Sequence, residues 1–528
     1  MRRLSSRRSI QVPKSYHIAQ LIAGLCLALT FAPAVCTAAA TERPPNVVVI
    51  LADDLGYGDV KCLNPDGKIT TPQIDRLAAE GLIFTDAHSS SSVCTPTRYG
   101  LLTGRYNWRS RLKSGVLGGY SRPLIEPGRL TSAQLAKQHG YVTGCVGKWH
   151  LGMDMPLKDG EIADDQGNFV NGYARAWDVD YSGKIAGGPN ALGFDYYFGI
   201  SASLDMSPFV FIENDHFTAI PTKEKKIWRL GPAADDFEAV NVLPTLTEKA
   251  VALIDDHAAA ARNGTPLFLY FPLNAPHAPI EPSDQWRGKS GINDYADFVM
   301  QVDDTVGRVL EALKAGDIAD NTLVILTSDN GCSPVADFKM LEAKGHHPSF
   351  VFRGAKADIY DGGHRVPFIA RWPAKIKAAT RSDQIVCLTD LMATFAEIVG
   401  AKLPDDAGED SMSILPVLLG ESRAASRQAI VHHSINGSFS IRQGNWKLQL
   451  CADSGGWSAP KPGSKEAAEL PSVQLYDLTA DIGEQVNVCQ QHPEIVERLT
   501  VLLQKYVADG RSTPGVKQNN TTPVVLRP

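Results

Sequence analysis

At 528 residues the chain exceeds what one small core supports, so a large domain with a smaller one is expected. The composition, 44% hydrophobic and 21% charged, is that of an ordinary globular protein, and a formal charge of −6 argues against a nucleic-acid binder.

The first 40 residues read as an export signal. Arg2, Arg3, Arg7, Arg8 and Lys14 form a basic region, residues 18–31 an apolar one, and residues 37–40 a small-residue cleavage region. The apolar run is short for a spanning helix, which needs ~20 residues, and no later segment reaches that length. Periplasmic or extracellular export without a stable membrane anchor is therefore expected. Arg7 and Arg8 after Ser6 leave a twin-arginine route open beside the general one. Cleavage removes five basic and no acidic residues, taking the formal charge to −11. An anionic substrate would then have to be captured by local cations against the global field. Six cysteines outside the signal and apart from Cys94 lack the paired C-x-x-C spacing of a zinc–cysteine site, and export permits disulfides whose pairing the sequence does not give.

Residues 46–52, continuous, apolar and β-branched after Pro44 and Pro45, predict a strand buried on both faces of a parallel sheet, ending in Asp53 and Asp54. Thr71 as cap and Pro72 as opener predict a helix with Ile74, Leu77 and Ala78 inward and Gly81 as its stop. A strand at 82–84 follows. Cys94 stands on a Ser-rich turn before Pro96 and Arg98. Alone, it reads as well as a buried structural thiol. Thr131 and Gln134 have capping-box spacing, and Gly140 separates that helix from a strand at 141–146 that delivers Lys148 and His150.

Residues 173–240 show no sustained period and predict long loops of the kind that carry specificity. A buried strand at 267–271 precedes His277, an amphipathic helix carries Tyr295 through Leu313, and a strand at 323–327 ends in Ser328, Asp329 and Asn330. Asp303 and Asp304 on that helix read as a solvated face. The alternation predicts an α/β fold, a large mostly parallel sheet with helices on both faces. Asp53, Asp54, Lys148, His150, His277, Asp329 and Asn330 fall where such sheets place their sites, beyond the carboxyl ends of the strands. A composition shift near Pro404 to Gly408 leads to a smaller C-terminal α+β domain with an antiparallel sheet and one packed helix, giving a signal at 1–40, a catalytic domain at 41–421 and a C-terminal domain at 422–528. The tail after Arg511 reads as flexible.

Adjacent carboxylates at a strand end are costly unless a cation neutralises them. Asp53, Asp54, Asp329 and Asn330 offer only oxygens, which suits Ca2+, with Mg2+ as the alternative. His346, His347, His432 and His433 match no motif.

Two stretches carry a resemblance. Cys94-Thr95-Pro96-Thr97-Arg98, read as C-x-P-x-R, resembles the first signature of the formylglycine-dependent sulfatases, and residues 140–150, through Gly147-Lys148-Trp149-His150, resemble the second. The resemblance, to arylsulfatase-like members of the alkaline-phosphatase-like superfamily, runs from the first strand through Phe368. It includes Arg353-Gly354-Ala355-Lys356 and Asp361-Gly362-Gly363-His364-Arg365, with a weaker match at 475–487. Thr97 stands where serine is frequent.

The resemblance implies hydrolysis of sulfate monoesters, on a sulfated carbohydrate or an aryl sulfate. It implies that a maturation enzyme converts Cys94 to formylglycine, and that Asp53, Asp54, Asp329 and Asn330 hold Ca2+. Lys148, Lys356 and Arg98 would offset charge on the sulfate, His150 would orient or deprotonate the hydrated aldehyde, and His277 would protonate the leaving oxygen. A phosphonate or phosphate ester hydrolase on the same scaffold and an inactive sulfated-glycan binding protein are the alternatives.

Overall fold

Ten strands form one sheet, and its centre is built as the apolar runs predict. In chain order they are β1 (Asn46–Ala52), β2 (Leu82–Phe84), β3 (Val142–Lys148), β4 (Tyr196–Ile200), β5 (Ile212–Glu213), β6 (His216–Phe217), β7 (Leu267–Pro272), β8 (Thr322–Ser328), β9 (Phe368–Arg371) and β10 (Thr380–Ser382). The order across the sheet is β10-β2-β9-β8-β1-β7-β3-β4-β5-β6. The five central strands, β8 to β4, are parallel, and the antiparallel pairings lie toward the edges. Every residue of β1 and β8 is buried, as strands covered on both faces must be. The structure, a computed structural model, describes residues 43–167, 172–421 and 427–526; the export-signal reading at 1–40 lies outside them.

Helices cover both faces. On one, α1 (Pro72–Ala79) and α4 (Ala239–Arg262) pack against α5 (Asp294–Ala315); on the other, α2 (Cys94–Thr103) and α3 (Ser132–Gln138) pack together and against Leu391–Ile398. The capping box of α3 forms as its spacing predicts, Thr131 accepting from the Gln134 amide and the Gln134 side chain accepting from the Thr131 amide.

The cap of α1 does not form as expected. Thr71 occupies the cap position without capping, its hydroxyl accepting instead from the Lys61 amide. The first-turn amides of Gln73 and Ile74 donate to Asp303 of α5, at 3.0 and 2.8 Å to Oδ1. Asp303 is thus a buried inter-helix cap, not a solvated face. Asp303→Ala leaves two inward amides without an acceptor and is expected to cost about 1–3 kcal/mol, whereas Asp304→Ala stays within about 0.5 kcal/mol. Thermal unfolding scans of the two variants at one scan rate check the difference.

Residues 173–240 are not only loop. They contribute β4, a full member of the parallel sheet, together with β5 and β6. Strand β4 lies so close to β3 that a Cβ on Gly199 would stand 1.8 Å from the Gly147 carbonyl, so glycine is required at this crossing. The same segment holds a hairpin of Lys223–Lys226 and Leu230–Ala233.

A second sheet, antiparallel, runs β11 (Ile430–His433), β12 (Phe439–Gln443), β13 (Trp446–Gln449) and β14 (Gln474–Asp477) in order. Helix α6 (Pro493–Asp509) closes its core with Leu499, Leu503 and Tyr506, three residues of one helical stripe. The tail beyond Arg511 is docked, contrary to the sequence reading. Arg105 donates to the Asn519 carbonyl and Arg109 to Asn520 Oδ1, both at 3.0 Å, and the Thr521 amide donates to the Arg109 carbonyl at 2.7 Å. These contacts supply acceptors to two buried guanidiniums. The seven described cysteines are free thiols.

Candidate functional site

Strand register assembles the first half of the site. Ala52 of β1 pairs with Ser328 of β8, so Asp53-Asp54 and Asp329-Asn330 leave two adjacent parallel strands side by side. Strand β3 ends in Lys148 itself, and His277 follows the end of β7. All ten predicted site residues are buried. Asp54, His150 and Ala357, next to Lys356, adopt left-handed φ of 66°, 56° and 81°, a conformation that costs non-glycine residues about 1–3 kcal/mol and clusters at functional sites.

Carboxylates and cations interlock. Lys148 Nζ lies 2.6 Å from Asp53 Oδ2, and Lys356 Nζ lies 2.7 and 2.9 Å from the two oxygens of Asp54. Arg98 donates through Nε and Nη2 to Asp329 Oδ2, at 3.1 and 2.7 Å, and through Nη1 to the Lys148 carbonyl. Burial raises the Asp53 carboxyl, but Lys148, His277, Arg98 and Lys356 outweigh it and hold the group well below the usual range. Burial and then the charge of Asp53 push Asp329 up to about 7. Three acids face three cations, so a divalent ion would leave the pocket positive toward an anionic ester.

The oxygens fit such an ion. Asp53 Oδ1 and Asn330 Oδ1 are buried without a hydrogen-bond partner, while the Asn330 amide nitrogen donates to Asp54 Oδ1 and to the Gly331 carbonyl. Acceptor-only oxygens turned inward without donors are what a hard cation takes. An atom each from Asp53, Asp54 and His277 also lie within 4.8 Å of one another, which brings His277 to the edge of the cation pocket.

Cys94 opens α2, at its first position rather than on a turn. The preceding loop is tied down on two sides: the Ala357 amide donates to the Ser92 carbonyl, and the Ser92 amide and Ser91 hydroxyl donate to the His433 carbonyl of β11. Thr97, where serine is frequent in the resembled family, uses its hydroxyl to bind the Ser91 carbonyl at 2.9 Å. Burial raises the Cys94 thiol above its ordinary value even though Lys148 and Lys356 pull the other way, so the unmodified side chain is a poor thiolate.

The two histidines have fixed tautomers, because each has one ring nitrogen against a carbonyl, which only accepts. His150 donates through Nε2 to the Leu117 carbonyl at 2.8 Å, and its Nδ1 is buried and unpartnered. The Leu117 amide in turn donates to the hydroxyl of Thr95, beside Cys94. Burial, then Lys148 and Arg98, hold His150 well below the ordinary imidazole value, so Nδ1 is a free acceptor. His277 donates through Nδ1 to the Ala278 carbonyl, leaving Nε2 as the exchangeable position, 3.7 Å from Asp54 Oδ2.

Ser203 escapes the sequence reading. Its hydroxyl lies 3.1 Å from Lys148 Nζ and 3.3 Å from the His277 ring nitrogens, joining the two groups. Asp205, two residues on, is held below the usual carboxylate range: burial raises it, but His277 and Arg229 lower it more. Both lie in the segment after β4, where no motif marks them.

The profile described as Sulfatase matches residues 45–401, and one described as N-sulphoglucosamine sulphohydrolase, C-terminal, matches residues 353–451. An N-acetylgalactosamine-6-O-sulfatase of Bacteroides thetaiotaomicron is 34% identical over 513 residues, covering 88% of this chain and 93% of the relative. Human arylsulfatase A is 31% identical, with 91% of each chain covered. A solved structure described for the metabolism of multiple glycosaminoglycans by Bacteroides thetaiotaomicron superposes with a TM-score of 0.75 at 33% identity, covering 88% of this chain and 99% of that one.

Proposed function

Because the chain belongs to the sulfatase family and is a sulfuric ester hydrolase, we propose that it removes sulfate from a sulfated carbohydrate, with a 6-sulfated N-acetylgalactosamine unit as the first substrate to test. The observation that carries the reading is the ring of Lys148, Lys356 and Arg98 interlocked with Asp53, Asp54 and Asp329. The sugar follows the relative named for N-acetylgalactosamine-6-O-sulfate hydrolysis.

In this reading Cys94 is converted to formylglycine by a maturation enzyme, which supplies a hydrated aldehyde as an oxygen nucleophile. Asp53, Asp54, Asp329 and Asn330 hold Ca2+, with Mg2+ as the alternative, and the ion supplies Lewis-acid stabilisation of charge on sulfate oxygens. The protein's own groups do the rest. Lys148 and Lys356 turn from their carboxylates toward the equatorial oxygens, where their charge counts most as the sulfur is attacked. Arg98 keeps Asp329 in place. His150 accepts a hydroxyl proton at Nδ1, the orientation fixed by its bond to Leu117. His277 gives a proton from Nε2 to the leaving sugar oxygen, with Ser203 steering the ring.

Export to the periplasm or outside the cell, after cleavage near residue 40, belongs to the same proposal. So does a division near residue 421, supported by the second sheet beginning at Ile430.

Sulfate release from N-acetylgalactosamine-6-sulfate, compared with sulfated sugars carrying the group elsewhere, tests the substrate. Release from the other sugars alone rejects that choice. Exhaustive chelation, with metal loss verified by elemental analysis, is expected to abolish turnover, and Ca2+ to restore it. Unchanged activity in metal-free protein would falsify the cation's role.

A further inference from the structure

One buried carboxylate beside the site has an oxygen with nothing to bind. Asp205, 7% exposed, lies in the segment that follows β4, and its Oδ1 is buried without a hydrogen-bond partner among the described residues. Its other oxygen, Oδ2, accepts from Arg229 Nη1, which also approaches the Asp205 carbonyl at 3.4 Å. A carboxylate oxygen closed off from water costs free energy until a donor reaches it, so an orphan of this kind calls for one.

The segment that carries Asp205 is held in place. Arg229 stands in the turn of the hairpin of Lys223–Lys226 and Leu230–Ala233 and folds back onto Asp205, tying the turn to the segment. The Phe209 amide donates to the Pro232 carbonyl at 2.9 Å and the Ala234 amide to the Phe209 carbonyl at 3.0 Å. A Cβ on Gly119 would stand 1.8 Å from the Ser207 carbonyl, so the segment also packs directly on the loop whose Leu117 carbonyl orients His150.

Charge decides what the oxygen can take. Burial raises Asp205, but His277 and then Arg229 outweigh it, so the carboxylate is ionised and only accepts. A sulfate oxygen is ruled out, being another anion. A further metal ion is disfavoured too, because His277, Arg229 and Lys148 already act on this carboxylate as cations. The class that remains is a neutral hydrogen-bond donor. Ser203, two residues before Asp205, bonds to the ring of His277, which faces the leaving oxygen in the reading above. Asp205 therefore belongs to the leaving-group side of the site.

Resting on that reading, we propose that Asp205 is a specificity-determining residue whose Oδ1 accepts a hydrogen bond from a hydroxyl or amide N–H of the leaving sugar. A simple aryl alcohol carries no such donor. One oxygen thus favours carbohydrate esters over aryl ones and, among sugars, those with a donor at the matching ring position, because a sugar without it leaves the buried carboxylate unpaired.

The test takes the methyl glycoside of the sulfated sugar cleaved fastest in the substrate comparison above, N-acetylgalactosamine-6-sulfate in the first instance, and removes its hydroxyl and amide donors one at a time. kcat/KM is measured on the parent, on each analogue and on an aryl sulfate, in wild type and Asp205→Ala. In wild type one analogue is expected to lose about 10- to 100-fold, the worth of a hydrogen bond to a charged group, and the others far less. Asp205→Ala is expected to lose a similar factor on the parent beyond its loss on the aryl sulfate, and nothing further on the sensitive analogue, whose donor is already gone. Analogues that all react as the parent does, or a variant that loses equally on parent, analogues and aryl sulfate, overturn the inference and leave the sugar substrate standing. A wild type that cleaves the aryl sulfate and none of the sulfated sugars overturns both. Should Asp205→Ala not fold, Asp205→Asn, which keeps the shape and an acceptor for Arg229, carries the same comparison.

Discussion

Cys94→Ser, made in a host whose maturation enzyme modifies only cysteine, is expected to lose roughly 10⁴- to 10⁶-fold in turnover, the scale on which deleting a nucleophile acts in other hydrolases. The fold should survive, because serine fills nearly the same volume at the first position of α2 and the backbone bonds of Ser91 and Ser92 do not involve the side chain at 94. An unfolding midpoint near wild type with activity gone is the expected pair of results. The companion measurement is the mass of the peptide containing Cys94 from active enzyme. The proposed conversion of the thiol to an aldehyde would supply a nucleophile at a position where burial makes the thiolate unfavourable. Only unmodified cysteine in fully active protein would sink the mechanism.

His277→Ala should separate substrates by their leaving groups. A sugar alkoxide needs a proton as the ester bond breaks, and general acid catalysis is worth ~10²- to 10⁴-fold. An activated aryl sulfate leaves without that help, so its hydrolysis should fall far less. Burial and then Lys356 hold free His277 below its ordinary value, so the approach of an anionic ester is what favours its protonated form. The comparison uses both sulfates with matched phosphate and phosphonate esters, in wild type and variant. Equal losses on sugar and aryl sulfates remove His277 from the acid role, and a wild-type preference for phosphorus esters would replace the substrate proposed here.

Local signals in the sequence lie close to what they determine. The apolar run of β1 and its acidic end are legible because a strand covered on both faces has no polar positions, and register then places Asp53 beside Asp329. The capping box of α3 is legible because both partners lie within four residues. What stayed hidden depends on distant partners. Asp303 looks like one of two solvated acids until α1 is packed against it. Strand β4 hides because Gly199 interrupts its apolar pattern for the sake of a neighbour, Gly147, that the sequence does not place beside it. Ser203 has no spacing signal, since its role comes from standing between Lys148 and His277. The docked tail, with few apolar residues, gives no sign that Arg105 and Arg109 await its acceptors.

The bond from the Ser91 hydroxyl to the His433 carbonyl spans 342 residues of chain, and this imposes an order of events during synthesis. It cannot form until β11 has been made. At ~5–20 residues per second, the segment around Cys94 waits roughly 20–70 s for the strand that seals it. For that interval the cysteine and the Pro96 and Arg98 beside it belong to a growing chain, and only afterwards to a closed pocket. On the proposed conversion of Cys94, the lateness of the seal would give a processing enzyme its access, and changes that slow or speed translation between the two segments should then alter the fraction of molecules processed before closure.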